Sequence, residues 1–242
     1  HQRICAQGGH CDLGCVDPNV GFTASAAGRH QSAGFLFWPH QQRHCTGLYP
    51  AWFWQLELKN VSQQPMTVDL VYSHDLALAV PEVIKSNEYF VSQYLDYHSL
   101  NHPHCGVVLA ARQNLIMEQG HPWALLGSLR QGVSFSNDAL QFYGYNRPKQ
   151  DIPQALHKER LAGQVRQHEH SLGVIQDAPL YLEPQAVVPS GFFGLMQTHH
   201  SEATSAQDLK QVDQVLSLPE SKFTFSDAFF RQKGKGSERI ED

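Results

Sequence analysis

The sequence predicts a mainly β chain folded as a sandwich, and three observations carry that reading. Over 52–59, Trp52, Trp54, Leu56 and Leu58 alternate with Gln55, Glu57 and Lys59, the period-two pattern of a half-buried strand. Short runs rich in β-branched and aromatic residues then recur down the chain, bounded by clusters of Gly, Pro, Asn, Asp and His. Helical spacing is confined to a few short stretches, and many short strands with few helices argue for a sandwich.

Taken in order, the strand at 52–59 leads through Asn60-Val-Ser-Gln-Gln-Pro65 into 66–72, whose alternation predicts an antiparallel partner across a hairpin. Further strands are expected at 89–94, 106–111, 139–145, 171–176, 186–188 and 191–196. A helix is expected at 205–217, where Leu209, Val212, Val215 and Leu216 recur near helical spacing behind Thr204 as a cap. Two shorter helices are expected at 154–162 and 224–231. No repeat of fixed period and no low-complexity tract interrupts this order.

Composition narrows the function classes. Of 242 residues 41% are hydrophobic and 17% charged, with 18 Lys plus Arg against 23 Asp plus Glu, which excludes a disordered chain and the basic footprint of a nucleic-acid binder. No run reaches the roughly 20 apolar residues of a spanning helix, and His1-Gln-Arg does not open a signal peptide. Cysteines 5, 11, 15, 45 and 105 are odd in number and irregular in spacing, so the expectation is reduced thiols in a cytoplasmic compartment. Asn60-Val-Ser62 matches a glycosylation triplet. The start without methionine and the charged, linker-like stretch 231–242 lead us to expect a fragment of a longer protein.

The most telling segments are Asn87-Glu-Tyr-Phe-Val-Ser-Gln-Tyr-Leu-Asp-Tyr97 and Ser134-Phe-Ser-Asn-Asp-Ala-Leu-Gln-Phe-Tyr-Gly144. Glu169-His-Ser-Leu-Gly-Val-Ile-Gln-Asp177 and Gly191-Phe-Phe-Gly194 follow them, with Arg112-Gln-Asn114, Pro122-Trp123 and the exit stretch 199–209 as further marks. In this order, from about Trp52 to Leu209, they resemble the amino-terminal half of the family 94 glycoside phosphorylases, formerly grouped as glycosyltransferase 36. The likeness is greatest to the β-1,2-glucan branch, which takes in the 1,2-β-oligoglucan phosphorylases and the phosphorylase-like region of cyclic β-1,2-glucan synthases. The resemblance implies a large antiparallel β-supersandwich of the galactose-mutarotase type over 1–200, and over 201–242 the start of a helical linker toward an (α/α)6 barrel absent from this chain.

It also implies the chemistry. In an inverting phosphorylase a carboxylic acid protonates the glycosidic oxygen while inorganic phosphate, the co-substrate, attacks the anomeric carbon from the opposite face. The family's acid belongs to the barrel, so the resemblance assigns no catalytic residue here and no cofactor. A β-glucan oligosaccharide, the barrel and, by analogy with family dimers, a second copy are the implied partners. A parent of the synthase kind would be membrane-associated.

The residues themselves suggest a few candidate sites. Aromatics such as Trp38, Trp52, Trp54, Tyr94, Tyr97, Trp123, Phe142, Tyr143 and Tyr145 offer platforms for sugar rings, with Gln93, Arg112, Gln113 and Asn114 as hydroxyl partners. Filling of a sandwich core is the favoured reading for most of them, and Tyr97, Arg112 and Trp123 are the candidates for an exposed glycan contact. Asp96 and Asp138 are read as turn or cap residues in preference to an acid pair.

Fifteen histidines raise a metal question that centres on His98, His102 and His104, with His40, His44, Cys45, His10, Cys11 and Cys15 less well spaced; hydrogen-bonded loop histidines are the favoured reading, with no metal. His199 and His200 have only Glu202 as a nearby carboxylate in sequence. Arg147-Pro-Lys-Gln-Asp151 and Lys233-Gly-Lys235 read as solvated turns. Two alternatives to the phosphorylase-domain reading stay open: a free-standing carbohydrate-binding module, and an aldose epimerase pairing His168 or His170 with Glu169 or Glu183.

Overall fold

A computed structural model describes residues 2–8, 24–27, 35–45, 50–145, 153–167 and 170–223. The helix expected at 224–231, the basic segments 147–151 and 233–235, His10, Cys11, Cys15, His168 and Glu169 lie outside the described residues, as do the side chains of Trp38, His40, His44 and Cys45.

The strands are β1 (Gln2–Gly8), β2 (Ala24–Ala27), β3 (Phe35–Cys45), β4 (Pro50–Asn60), β5 (Met66–His74), β6 (Leu95–His102), β7 (Gly106–Gln113), β8 (Trp123–Ser128), β9 (Gly132–Asp138), β10 (Ser171–Asp177), β11 (Leu180–Leu182) and β12 (Val187–Gln197). They form one curled sheet in the order β2-β1-β5-β10-β9-β7-β8-β12-β4-β3, with β11 on β5 and β6 on β7. The fold is mainly β, as the sequence predicts, but the sheet is mixed rather than wholly antiparallel. β1 runs parallel to β5, and β7 meets β9 in parallel at Gly106 and Gly132. That meeting requires glycine: Gly106 has φ +71°, and a Cβ there would stand 2.3 Å from the Gly132 carbonyl oxygen.

Burial follows the two-residue period on both sides of the sheet. Trp52, Trp54, Leu56 and Leu58 of β4 meet Val68, Leu70 and Tyr72 of β5, Leu109 of β7, Leu126 of β8, Ile175 of β10 and Phe192 of β12 in the interior core. The curl brings β4 and β5 face to face although they lie near opposite ends of the strand order. The indoles of Trp52 and Trp54 both donate to the Tyr72 hydroxyl at 3.2 Å. The expected hairpin between these strands is therefore corrected: β4 pairs with β3 and β12, β5 with β1, β10 and β11, and residues 60–65 arch between layers.

Asn60 holds the arch, donating from Nδ2 to Gln64 O at 2.8 Å and Leu182 O at 3.1 Å while Oδ1 accepts from Ser62 N at 2.9 Å. Its side chain is wholly buried, so the glycosylation triplet offers no accessible amide.

The opposite face of the sheet is covered as well, so β4 is buried on both faces rather than half-buried. Ala51, Phe53, Val108, Ala110, Trp123, Leu125, Phe193 and Leu195 pack against Val212 and Val215 of helix α3 (Leu209–Ser217). Two further helices are α1 (Pro81–Gln93) and α2 (Ala139–Tyr143). Phe142 of α2, with Ala155, Leu156 and Leu161, covers Val71, Leu172 and Val174 on β5 and β10.

Two expected strands are helical. Residues 89–93 belong to α1, which opens on Pro81 and is kinked at Asn87, whose Oδ1 caps the second half by accepting from Phe90 N at 3.0 Å. Residues 139–143 form α2, started by Asp138 accepting from Leu140 N at 2.9 Å and ended by Gly144 at φ +84°. The stretches 186–188 and 191–196 are one strand, and the helix at 154–162 shrinks to a 3-10 turn at Gln154–His157. The helix at 205–217 is present as a 3-10 turn, Ala206–Asp208, running into α3, and its cap is Ser205 rather than Thr204. No helix among the described residues is long and apolar enough to cross a membrane.

Candidate functional site

Period-two geometry places Arg112, Trp123 and Gln197 on the face covered by α3, because each stands an even number of residues from that face's apolar residues: Val108 and Ala110, Leu125, and Phe193 and Leu195. Register then sets them side by side, Trp123 opposite Arg112 on β7 and opposite Gln197 on β12. This row is the seat of the chain segment that leaves the sheet after β12.

Arg112 grips that segment by its backbone. Its Nε donates to His200 O at 3.0 Å and one terminal nitrogen to Ser201 O at 3.2 Å, while the other donates to Asn114 Oδ1. Trp123, fully buried, lies flat on the His200 imidazole, with centroids 5.0 Å apart and 15° between planes, and donates from Nε1 to Thr204 Oγ1 at 2.9 Å.

His200 bridges Glu202 O at 2.7 Å and Asp208 Oδ1 at 2.9 Å. Asp208 also accepts from Ser205 N at 2.8 Å, completing the capping box that starts the exit helix. Further along, Gln197 donates to Gln211 Oε1, His102 on β6 meets Asp213 Oδ1 at 3.1 Å, and Gln55 donates to the Glu220 and Lys222 carbonyls at 2.8 Å each. Residues 199–222 are thus buckled to the sheet at both ends and in the middle.

The three glycan candidates are corrected as regards exposure. Arg112 and Trp123 are brought together, but both are buried and turned toward this strap. Tyr97 lies apart in the interior core, its hydroxyl 2.6 Å from Ser171 Oγ, and burial pushes its phenol well above the ordinary range against the opposing Ser171 bond. Asp96 accepts from Gln167 Nε2 at 2.9 Å and Asp138 caps α2. His200, Asp208, Gln197 and Gln55 escaped sequence reasoning; the His200 partner is a carboxylate eight residues on, and only the alternation along β12 pointed to Gln197.

Among the described residues no group of three or more His, Cys, Asp or Glu is placed to hold a metal. His98 and His102 stand four residues apart on β6, about 13 Å along an extended strand. The His102 ring serves its own turn, with Nδ1 3.3 Å from the amides of His104 and Cys105 and 3.4 Å from the Cys105 sulfur.

Burial, with the Asp213 charge adding to it, pushes the Cys105 thiol up to about 12. At about pH 8 its thiolate fraction is then on the order of 10³-fold below that of an ordinary cysteine. Alkylation of Cys105, followed by peptide mass mapping, is expected to lag that of the urea-unfolded chain by about that factor. Equal labelling of the two states would contradict it.

The SOGP N-terminal domain model matches residues 42–194, which take in β4 through most of β12 and stop short of the strap. A 1,2-beta-oligoglucan phosphorylase from Listeria innocua serovar 6a is 29% identical over 154 residues, 63% of this chain. The matched stretch is 13% of that protein's length.

Proposed function

The chain belongs to the SOGP N-terminal domain family, and from that premise we propose that it is the non-catalytic sandwich domain of an inverting, phosphorylase-like protein of the family 94 kind acting on β-1,2-glucan. The observation that carries this reading is the strap. A sheet that spends Arg112, Trp123, Gln197, His102 and Gln55 on holding 199–222 is built to fix the direction in which the chain leaves it. Such a seat suits a domain that braces a neighbouring catalytic unit.

The carboxylates of the site agree with that role. Asp208 is engaged by Ser205 and His200, Asp177 is enclosed by donors, and Asp138 caps a helix. The general acid and the seat for attacking phosphate would then belong to sequence beyond these 242 residues.

Incubated with β-1,2-glucan oligosaccharides and inorganic phosphate, the 242-residue chain is expected to form no sugar phosphate and to consume no phosphate. Turnover by the chain alone would overturn the reading. A glycan-binding module is the second reading, favoured by Tyr89, Phe90 and Tyr94, which stand 39–50% exposed around the end of α1. Saturable heat on titration with the same glucans, lost in Phe90→Ala, would move the conclusion there.

A further inference from the structure

On the far side of the molecule from the strap, α2 and the 3-10 turn at Gln154–His157 cover β9 and β10 and leave a pocket of about 210 Å³. Its lining includes Ser136, Gln141, Lys158 and Arg160 and, among the described residues, no Asp or Glu. Concentrated cations without a carboxylate are notable in a chain of net charge −5.

Lys158 and Arg160 form no ion pair among the described residues, and Arg160 has only a 3.5 Å contact to Val133 O. A second guanidinium, that of Arg166, meets the Gln141 side-chain amide, whose oxygen accepts from it when the amide is turned toward it.

Ser136 supplies the independent sign of a ligand. Phe135 points into the interior core, so its neighbour Ser136 is turned to the pocket side of β9. The residue is 1% exposed, and its hydroxyl has no hydrogen-bond partner among the described residues. Buried polar atoms are almost always paired, and a bound water or ion is among the explanations of an exception. A hydroxyl donor beneath two cations that no described carboxylate pairs matches the oxygens of a compact anion. The volume falls below the roughly 300 Å³ at which drug-sized ligand pockets begin, which favours a small group.

We propose that this pocket binds a small oxyanion of the phosphate class, with Lys158 and Arg160 supplying the charge and Ser136 a hydrogen bond from below. The inference rests on the donor set alone and stands or falls separately from the proposed function.

Calorimetric titration of the chain in phosphate-free, low-salt buffer tests it, with inorganic phosphate in one arm and a hexose phosphate in the other. Saturable binding weakened by added salt is expected. Binding in the first arm identifies the free anion, and binding in the second alone identifies a phosphorylated sugar.

The Lys158→Gln/Arg160→Gln variant, both of whose positions are exposed, is expected to lose affinity by about tenfold or more. Ser136→Ala should weaken binding several-fold without lowering Tm, because it deletes an unpaired buried hydroxyl. Absence of saturable heat from both anions, or binding undiminished in these variants, would overturn the assignment. Should the double variant misfold, Ser136→Ala decides alone.

Discussion

Asp177→Ala is expected to destabilise the fold by about 3–5 kcal/mol, the largest effect of any single carboxylate replacement among the described residues. Asp177 ends β10 and is fully buried. Its Oδ1 accepts from Ser128 Oγ at 2.8 Å and Gln131 N at 3.2 Å, and its Oδ2 from Arg130 at 2.8 Å and Ser190 Oγ at 2.7 Å. These donors come from the end of β8, the turn into β9 and the middle of β12, so one carboxylate ties together strands that the sheet order keeps apart. Removing it strands two hydroxyls, a backbone amide and a partly buried guanidinium, each orphan costing about 1–3 kcal/mol before relaxation.

For a chain of this size that corresponds to a Tm lowered by roughly 10 °C. Asp177→Asn keeps the shape and one acceptor and should fall between. Urea unfolding of the three proteins checks the order, and a wild-type midpoint in Asp177→Ala would refute the claim that this network holds the sheet's curl.

Alternation made β4 and β5 legible in the sequence, and β7, β10 and the second half of β12 stand where short β-branched and aromatic runs place them, but such patterns report strands and faces, not pairing. Leu56 and Leu70 share one core whether their strands are neighbours in a ladder or opposed across it. The turn chemistry of 60–65 serves an arch as readily as a hairpin, so only the closure of the curl decides.

β8 offered neither signal. Its six residues are all buried, and such a run has no period to read. α1 was misread because Tyr89, Phe90 and Val91 favour strands by propensity, while Pro81 and the Asn87 cap, which decide the outcome, are signals of helix entry.

The site was half legible. Arg112 and Trp123 stood out as an arginine and an indole in a segment of unusual composition, and the structure does set them side by side. What the sequence withheld was the direction they face, since that depends on a register shared by β7, β8 and β12. A platform for sugar and a seat for a helix use the same residue types; burial distinguishes them. His200 and Asp208 were invisible because their pairing depends on the path of 201–207 over the Trp123 ring.

Trp123→Ala should therefore act on stability, and first on the strap. The indole is fully buried between the sheet and His200, so truncation removes its packing and leaves a cavity, a change that costs about 3–5 kcal/mol in a core. It also orphans the Thr204 hydroxyl and removes the surface on which His200 is stacked. The loss should not spread evenly. Interior-core amides on β5 and β10 keep their neighbours, whereas 199–217 lose one of the contacts that hold them down, so hydrogen exchange is expected to rise most in the strap and α3.

Trp123→Phe should restore most of the packing but not the Thr204 bond, and Arg112→Met should loosen His200 and Ser201 while sparing the core. A uniform rise in exchange would mean that strap and sheet unfold as one unit. Unchanged stability in Trp123→Ala would remove the physical basis for the proposal that the sheet is built to fix the path of the strap.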